Sequence, residues 1–383
     1  MLKYGLVLAG GGSLGAYEIG CIKRLLELDF RFDIITGTSI GSINGAMLAL
    51  NCFDQLLKIW NNIEIANIIE NGENLNLDII KDFSLERVKR LLSTYGNIKG
   101  CDITPLKKLI EDNIDPCLFK NARTKIGIVV TDISKLITKE KRILLNECDP
   151  NLIIPYIHAS CACYPIFPLV KIKNKFYIDG GYTNNFPIDY CFDLGAEKII
   201  AINLPLPNIK ISKLWLKNNP NVTYIYPTKK LGTMFDFSEQ IVSRNITLGY
   251  LDTKKALGEI WGKDFYFEKK KEDEYLCTIF INALYKLDQK YLKKIIDDSN
   301  EEYSNPTAFQ CVSLFLESGL KRTNENDLSL YSIDRCVRLL LTKLDEIDKD
   351  YYEYLILLDN IYKKSSIKLL CNQINHIKNI KEN

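Results

Sequence analysis

Histidine is nearly absent from this chain: only His158 and His376 occur among its 383 residues. Zinc sites in proteins are built from histidine or from paired cysteines, and the twelve cysteines here are scattered through the sequence. Only Cys161 and Cys163 lie close together, and packing explains that pair better than metal ligation. We therefore expect no metal site. Scattered cysteines in a long chain also indicate reduced thiols rather than a disulfide framework.

The chain also lacks an excess of charge and a long apolar run. Lys and Arg number 50 against 48 Asp and Glu, so the net charge of +2 provides no global field to hold nucleic acid. No window approaches the 18 or more apolar residues that span a bilayer, and residues 2–9 are too short for a signal peptide. We expect a cytoplasmic protein without a nucleic-acid partner, whose contact with any membrane is peripheral and local.

Strands alternate with helices in the N-terminal part of the sequence. Residues 2–9 and 32–36 are short apolar runs, each closed by glycine and followed by a helical pattern, at 16–28 and 43–50. The β-branched runs at 126–131 and 198–204 suit interior strands, while residues 171–178 alternate like a strand near an edge. This order predicts an α/β domain with a mostly parallel central sheet flanked by helices.

Two regions read as mainly helical. Residues 53–120 carry helical patterns and resemble an insertion into the α/β domain, and strands fade beyond about residue 261, where amphipathic segments such as 279–296 and 335–347 follow. We predict one domain over residues 1–260, with the insertion at about 53–120, and a helical C-terminal region over 261–383. The sequence leaves open the role of that region and the oligomeric state.

A G-x-S-x-G motif stands where the second predicted strand ends. Gly37-Thr38-Ser39-Ile40-Gly41 follows that strand and begins a predicted helix, the context in which such a motif makes a sharp turn and lifts the serine hydroxyl clear of the sheet. The helix N-terminus favours negative charge developing beside it. Ser39 is therefore a candidate nucleophile, although an ordinary Gly/Ser turn can have the same sequence.

A glycine-rich loop follows the first predicted strand. Its backbone N–H groups could form an oxyanion hole or hold a phosphate; the residues concerned are Gly10, Gly11, Gly12, Ser13 and Gly15. The loop also matches the G-x-G-x-x-G dinucleotide fingerprint, which requires an acidic residue at the far end of the second strand. That position holds the serine motif, and Asp33 lies at the near end. An oxyanion hole is the better interpretation.

A serine nucleophile needs a base, and the shortage of histidine restricts the choice. Asp179-Gly180-Gly181 follows a predicted strand, and its glycines leave room for a carboxylate to approach a hydroxyl directly. A D-G turn is the alternative interpretation. A triad of Ser39, Asp179 and His376 has the chain order of α/β-hydrolases, but only one strand precedes Ser39's own strand, and His376 lies in an Asn- and Lys-rich tail.

Together, the glycine loop, the serine motif and the D-G-G motif resemble the patatin-like phospholipase family in identity, order and approximate spacing. The A-S-x-A segment with its Pro and Phe at 159–168 and the segments between 231 and 250 extend the resemblance over about residues 3–255. It implies a three-layer fold and a dyad in which Ser39 attacks an ester, Asp179 accepts its proton, and Gly11 and Gly12 bind the oxyanion. It also implies acyl-ester lipid substrates at a membrane or micelle surface, without a metal or organic cofactor.

The glycine loop departs from many members of that family. They carry Arg or Lys within the loop, whereas this chain has Leu14 before Gly15. We expect this difference to alter headgroup preference rather than to abolish activity. A second hypothesis is a catalytically inactive lipid-binding or scaffold protein that retains the fold, and the intact Ser39, Asp179 and glycine loop speak against it.

Overall fold

The computed structural model describes residues 2–72, 100–135, 137–205, 215 and 218–363. The chain divides into two compact units, Met1–Ala256 and Leu257–Asn383. Part of the predicted helical insertion, residues 73–99, lies outside the described residues, as does His376. Within the described ranges, no helix combines the length and apolar character needed to cross a membrane.

The N-terminal unit is built on one mixed sheet. Its strands in the described part are β1 (Tyr4–Leu8), β2 (Ile34–Thr38), β3 (Lys125–Asp132), β4 (Lys139–Leu144), β5 (Val170–Ile172), β6 (Lys175–Asp179), β7 (Lys198–Ile202) and β8 (Val222–Ile225). The order is β5-β6-β3-β2-β1-β7-β8, with β4 pairing with β3. Pairs among β1, β2, β3, β7 and β8 are parallel, while β4, β5 and β6 pair antiparallel.

Helices cover both faces of this sheet. Those of the N-terminal unit are α1 (Ala16–Glu27), α2 (Ile40–Ala49), α3 (Phe53–Asn61), α4 (Thr104–Asn113), α5 (Pro150–Ser160), α6 (Ile188–Asp193) and α7 (Glu239–Ala256). Because successive strand residues point to opposite faces, Val7 packs with Ile188 of α6 on one side. Ile35 lies under Gly45 of α2 on the other. The predicted α/β architecture, with a central sheet between helical layers, is confirmed.

The predicted edge strand at 171–178 is instead a hairpin. Strand β5 pairs antiparallel with β6, with Val170 opposite Tyr177 and Ile172 opposite Lys175. The chain reverses at Lys173, whose φ is 54°, and Asn174. Residues 173–175 are all polar and residues 176–178 are all apolar, so the alternation breaks where the chain turns.

The C-terminal unit is mainly helical, as predicted. Its elements in the described part are β9 (Ile260–Trp261), β10 (Tyr266–Glu268), α8 (Asp273–Leu287), α9 (Gln289–Glu302), α10 (Ala308–Arg322), β11 (Leu330–Tyr331), α11 (Ile333–Leu341) and α12 (Lys349–Lys363). The three short strands form a small separate sheet that the sequence did not predict. The amphipathic pattern at 279–296 is two helices, because Asp288 ends α8 and its carboxylate caps α9 at the Tyr291 N–H.

A buried polar network joins three helices of the N-terminal unit. Glu18 of α1 accepts a hydrogen bond from Asn44 Nδ2 of α2 at 2.9 Å, and Asn44 Oδ1 accepts one from Trp60 Nε1 of α3 at 3.0 Å. The Glu18 side chain is fully buried, and its Oε1 has no hydrogen-bond partner. Desolvation therefore raises the pKa of Glu18 well above its usual range, which the bond from Asn44 only partly offsets.

We expect Glu18→Gln to become more stable relative to the wild type as the pH rises. Folded Glu18 keeps a proton in a range where the unfolded chain has lost it, so this group makes folding less favourable above its ordinary pKa. Between the unfolded and folded pKa values of Glu18, the free energy of unfolding of the variant should increase relative to that of the wild type. The increase should be about 1.4 kcal/mol per pH unit. Urea unfolding at pH 5 and pH 7 measures this difference.

Glu27 on the same helix provides the matched control. Partial desolvation raises the pKa of Glu27, but hydrogen bonds from Tyr250 and Arg24 outweigh it and lower the pKa below its usual value. The free energy of unfolding of Glu27→Gln should therefore not increase relative to that of the wild type as the pH rises. Equal pH dependence in the wild type and Glu18→Gln would show that Glu18 is ionised in the folded protein.

Candidate active site

One strand places the two candidate residues side by side. Strand β3 pairs with β4 along one edge over Gly127–Asp132, so β2 and β6 must share its other edge. Thr38, the last residue of β2, lies opposite Val129, and Asp179, the last residue of β6, lies opposite Val130. Strand β6 runs antiparallel to β3 and therefore ends where β2 ends. Ser39 and Asp179 consequently meet although they are far apart in the sequence.

Ser39 occupies the strained turn that the G-x-S-x-G motif predicts. Its φ of 53° and ψ of −124° are unusual for a residue with a side chain, and helix α2 begins at the next residue. The flanking backbone leaves no room for larger residues: a Cβ at Gly41 would lie 2.6 Å from the Leu8 carbonyl oxygen. The glycines thus permit the turn, and the turn holds the serine at the N-terminus of α2.

Ser160, at the end of α5, holds this turn on strand β3. Its Oγ donates to the Val129 carbonyl at 2.8 Å and accepts from the Ser39 N–H at 2.9 Å. Two residues later, the Ala162 carbonyl accepts the N–H of Asp179 at 2.9 Å. The A-S-x-A segment therefore contacts the backbone of both candidate residues.

Asp179 is a buried carboxylate with local hydrogen-bond donors. Its side chain accepts from the Gly181 N–H at 2.7 Å and lines the same cavity as Ser39. Burial raises the pKa of Asp179 to about 6, while the interactions with Ser39 and Gly181 act in the opposite direction. A carboxylate with this pKa is largely ionised at neutral pH and is a stronger base than an exposed one.

The glycine loop approaches Ser39 from the end of β1. The Gly10 N–H donates to the Asn185 carbonyl at 3.2 Å, and the Ser13 N–H donates to the Met234 carbonyl at 2.9 Å. Gly12 lies between them with a φ of 58°. Among residues 10–13 of this loop, the N–H groups of Gly11 and Gly12 donate to no carbonyl outside the helices and strands of the described residues. Gly15 lies farther along, where a Cβ would meet Ile40.

A small, mainly apolar cavity opens onto these groups. It has a volume of about 60 Å³, and Gly12, Ser39 and Asp179 all line it. The apolar lining includes Ile43, Ile68, Leu106, Phe167, Met234 and Phe237. Such a lining can hold a hydrocarbon group next to the serine hydroxyl.

His158 contributes no charge to the candidate site. It is buried in α5, and its Nε2 has no hydrogen-bond partner. Burial, with a smaller contribution from Lys107, lowers the pKa of His158 to about 4. The ring is therefore neutral and enclosed near Lys107. Among the described residues, no group of three or more His, Cys, Asp or Glu side chains is arranged to hold a metal ion.

Two residues that support the site were not singled out from the sequence. Ser160 lies within the A-S-x-A segment, which was noted only as part of a resemblance. Asn185 Nδ2 donates to the Gly10 carbonyl at 3.0 Å and so ties the glycine loop to the turn after Asp179. A role for Asn185 has no signal in the sequence alone, because it depends on two loops meeting in space.

Comparison with known proteins gives a family match over the same region. The model of the family described as patatin-like phospholipase matches residues 6–192. A protein named probable lipid hydrolase 463L, from Invertebrate iridescent virus 6, is 31% identical over 242 residues, which cover 59% of this chain and 79% of that protein. The Drosophila melanogaster protein named neuropathy target esterase sws is 28% identical over 202 residues, 52% of this chain but 13% of that protein.

Among solved structures, VipD from Legionella pneumophila aligns with a TM-score of 0.45 at 14% identity, over 99% of this chain and 88% of that one. The extent of the match to the viral protein, together with the family model, settles the classification. The chain belongs to the patatin-like phospholipase family.

Proposed function

We propose that this protein is a lipid acyl hydrolase that cleaves carboxylic esters through Ser39 and Asp179. The observation that carries the proposal is that Ser39 and the buried Asp179 carboxylate line the same small cavity, at the ends of two strands that meet on β3. Family membership and the names of its relatives, which include lipid hydrolases and lysophospholipases, support a lipid substrate. The apolar cavity at Ser39 is consistent with an acyl group.

In the acylation step, the Ser39 oxygen attacks the ester carbonyl carbon and its proton passes to Asp179. The N–H groups of Gly11 and Gly12, with the N-terminus of α2, stabilise the negative charge on the carbonyl oxygen. The tetrahedral intermediate then collapses: the bond to the alcohol breaks, and the alcohol leaves with the proton from Asp179. An acyl group remains on Ser39.

In the deacylation step, a water molecule attacks the acyl carbonyl carbon while Asp179 accepts a proton from it. The bond to the Ser39 oxygen breaks and that oxygen recovers the proton, so the free acid is released and both residues return to their starting state.

The N–H groups of Gly10 and Ser13 already donate to carbonyls. These two residues, and Gly15, therefore shape the loop in this proposal while Gly11 and Gly12 bind the oxyanion.

Labelling with a fluorophosphonate probe tests whether Ser39 is activated. We expect one covalent adduct per folded chain, located on the peptide that contains Ser39, because only a serine beside a base and an oxyanion hole reacts readily. Protein denatured before exposure to the probe should not react. A folded protein that does not label would favour the inactive lipid-binding or scaffold role instead.

A further inference from the structure

The segment that walls the candidate cavity also presents an exposed apolar and basic surface. Cys163, Phe167 and Asp179 line the cavity. Between and just after them, several large apolar side chains are 39–51% exposed; these are Tyr164, Leu169, Phe176 and Tyr182. We call the exposed side chains of these four residues, with Lys171 and Lys173, the hairpin surface.

The charge of this surface is strongly one-sided. Residues 164–178 contain three lysines and no acidic residue, in a chain whose net charge is only +2. Lys175 pairs with Asp132 at 2.8 Å, which compensates its charge. Lys171 and Lys173 are exposed on the hairpin and have no ion pair with a described residue. Two uncompensated positive charges therefore lie among exposed apolar groups.

Tyr164 and Tyr182 are connected to the cavity wall through direct contacts. The Tyr182 hydroxyl donates to the Tyr164 carbonyl, and Tyr164 follows Cys163 of the cavity wall. On the hairpin, Lys171 Nζ lies 5.8 Å from the centre of the Phe176 ring, opposite it across the two strands. Tyrosines with an apolar ring and a polar tip, and a lysine beside an aromatic ring, are side chains that the interface of a bilayer accommodates.

We propose that the hairpin surface docks on a bilayer that contains anionic phospholipid. Its lysines match the negative surface potential of such a bilayer, and its apolar side chains can enter the headgroup region. Docking would bring the rim of the cavity at Tyr164 and Tyr182 against the lipid. The proposal rests on the proposed function, because docking would deliver lipid to Ser39. Binding to the bilayer does not itself require catalysis.

Vesicle sedimentation tests the proposal with the full chain carrying Ser39→Ala, so that hydrolysis cannot alter the lipid. We expect binding to vesicles of phosphatidylcholine with phosphatidylglycerol and much weaker binding to phosphatidylcholine alone. Lys171→Gln with Lys173→Gln should lower the partition coefficient on the mixed vesicles by about thirtyfold, as expected for two lysines near an anionic surface. Higher salt should weaken the binding as well.

Lys125→Gln with Lys198→Gln is the matched control. Both lysines are exposed, and they are the first residues of strands β3 and β7. They therefore lie at the opposite end of the strands from Ser39. This variant should bind within about twofold of its parent. Equal binding by the two double variants would overturn the proposal. So would a change in self-association of Lys171→Gln with Lys173→Gln in the absence of vesicles, which would make the surface a contact between copies.

Turnover of a soluble short-chain ester, measured with Ser39 present, separates this proposal from the proposed function. If the ester is not hydrolysed although anionic vesicles are bound through the lysines, the catalytic proposal fails and the docking surface stands. If the ester is hydrolysed and the lysines have no effect on vesicle binding, the docking surface fails and the catalytic proposal stands.

Discussion

Ser39→Ala should lose at least about a thousandfold in kcat on any ester substrate, because no other group can form the acyl-enzyme in its place. The substitution removes only the hydroxyl, and the backbone of the turn before α2 should be unchanged. The Ser39 N–H can still donate to Ser160, so the local fold is retained. Release of fatty acid from a panel of phospholipid, lysophospholipid and neutral lipid substrates measures the loss and shows which class is cleaved.

An exposed serine on α7, Ser243, offers a control for the substitution itself. Ser243→Ala should keep activity within about twofold of the wild type. Retained hydrolysis in Ser39→Ala, with the protein shown to be pure, would mean that another residue is the nucleophile and would reject the proposed site.

Asp179→Asn is expected to reduce kcat by about a thousandfold to ten-thousandfold, the scale seen when the carboxylate of a serine hydrolase site is neutralised. The amide is the same size but cannot accept the serine proton. Because the Gly181 N–H can still donate to the amide oxygen, the turn should remain in place. Rates measured with a soluble ester give this effect without a contribution from lipid binding.

The pH dependence of the wild type follows from the same group. Asp179 must be ionised to accept a proton, and burial raises its pKa to about 6. Activity should therefore rise with pH, reach half its maximum near pH 6 and fall about tenfold for each unit below pH 5. An exposed carboxylate would place this midpoint about two units lower.

Asp132 is a suitable control because it ends the neighbouring strand β3. Desolvation raises its pKa, but hydrogen bonds from Lys175 and Ser134 outweigh that effect and bring the pKa to about 2. Asp132→Asn should change neither kcat beyond about twofold nor the midpoint near pH 6. If His376→Ala abolished activity, or if the midpoint survived in Asp179→Asn, a base other than Asp179 would be responsible.

The sequence predicted the architecture of the N-terminal unit well because its strands and glycine turns have strong local signals. The residues of the serine motif, the D-G-G motif and the glycine loop share one end of the sheet, as expected for groups that follow strand ends. The direction of β6 was not predicted, since residues 171–178 were interpreted as one strand although the chain reverses within them. That direction is what brings Asp179 to Ser39.

The hydrogen bonds of Ser160 could not be predicted from the sequence, for a physical reason. Ser160 acts through a hydroxyl that satisfies one backbone group on β3 and another at the start of α2. Which backbone groups remain unpaired depends on where β2 ends along β3, and that is known only once the two strands are placed beside one another. The small sheet of the C-terminal unit was missed because strands of two or three residues carry too little periodicity to detect.

The shared edge of β3 also bears on how precisely the candidate pair is kept in place. Thr38 and Asp179 lie opposite adjacent residues of one strand, so a displacement of that strand carries the serine turn and the carboxylate in the same direction. Their relative position is therefore protected from motions that deform the sheet as a whole. Substitutions far from β3 should alter how a substrate enters more than how Asp179 meets Ser39.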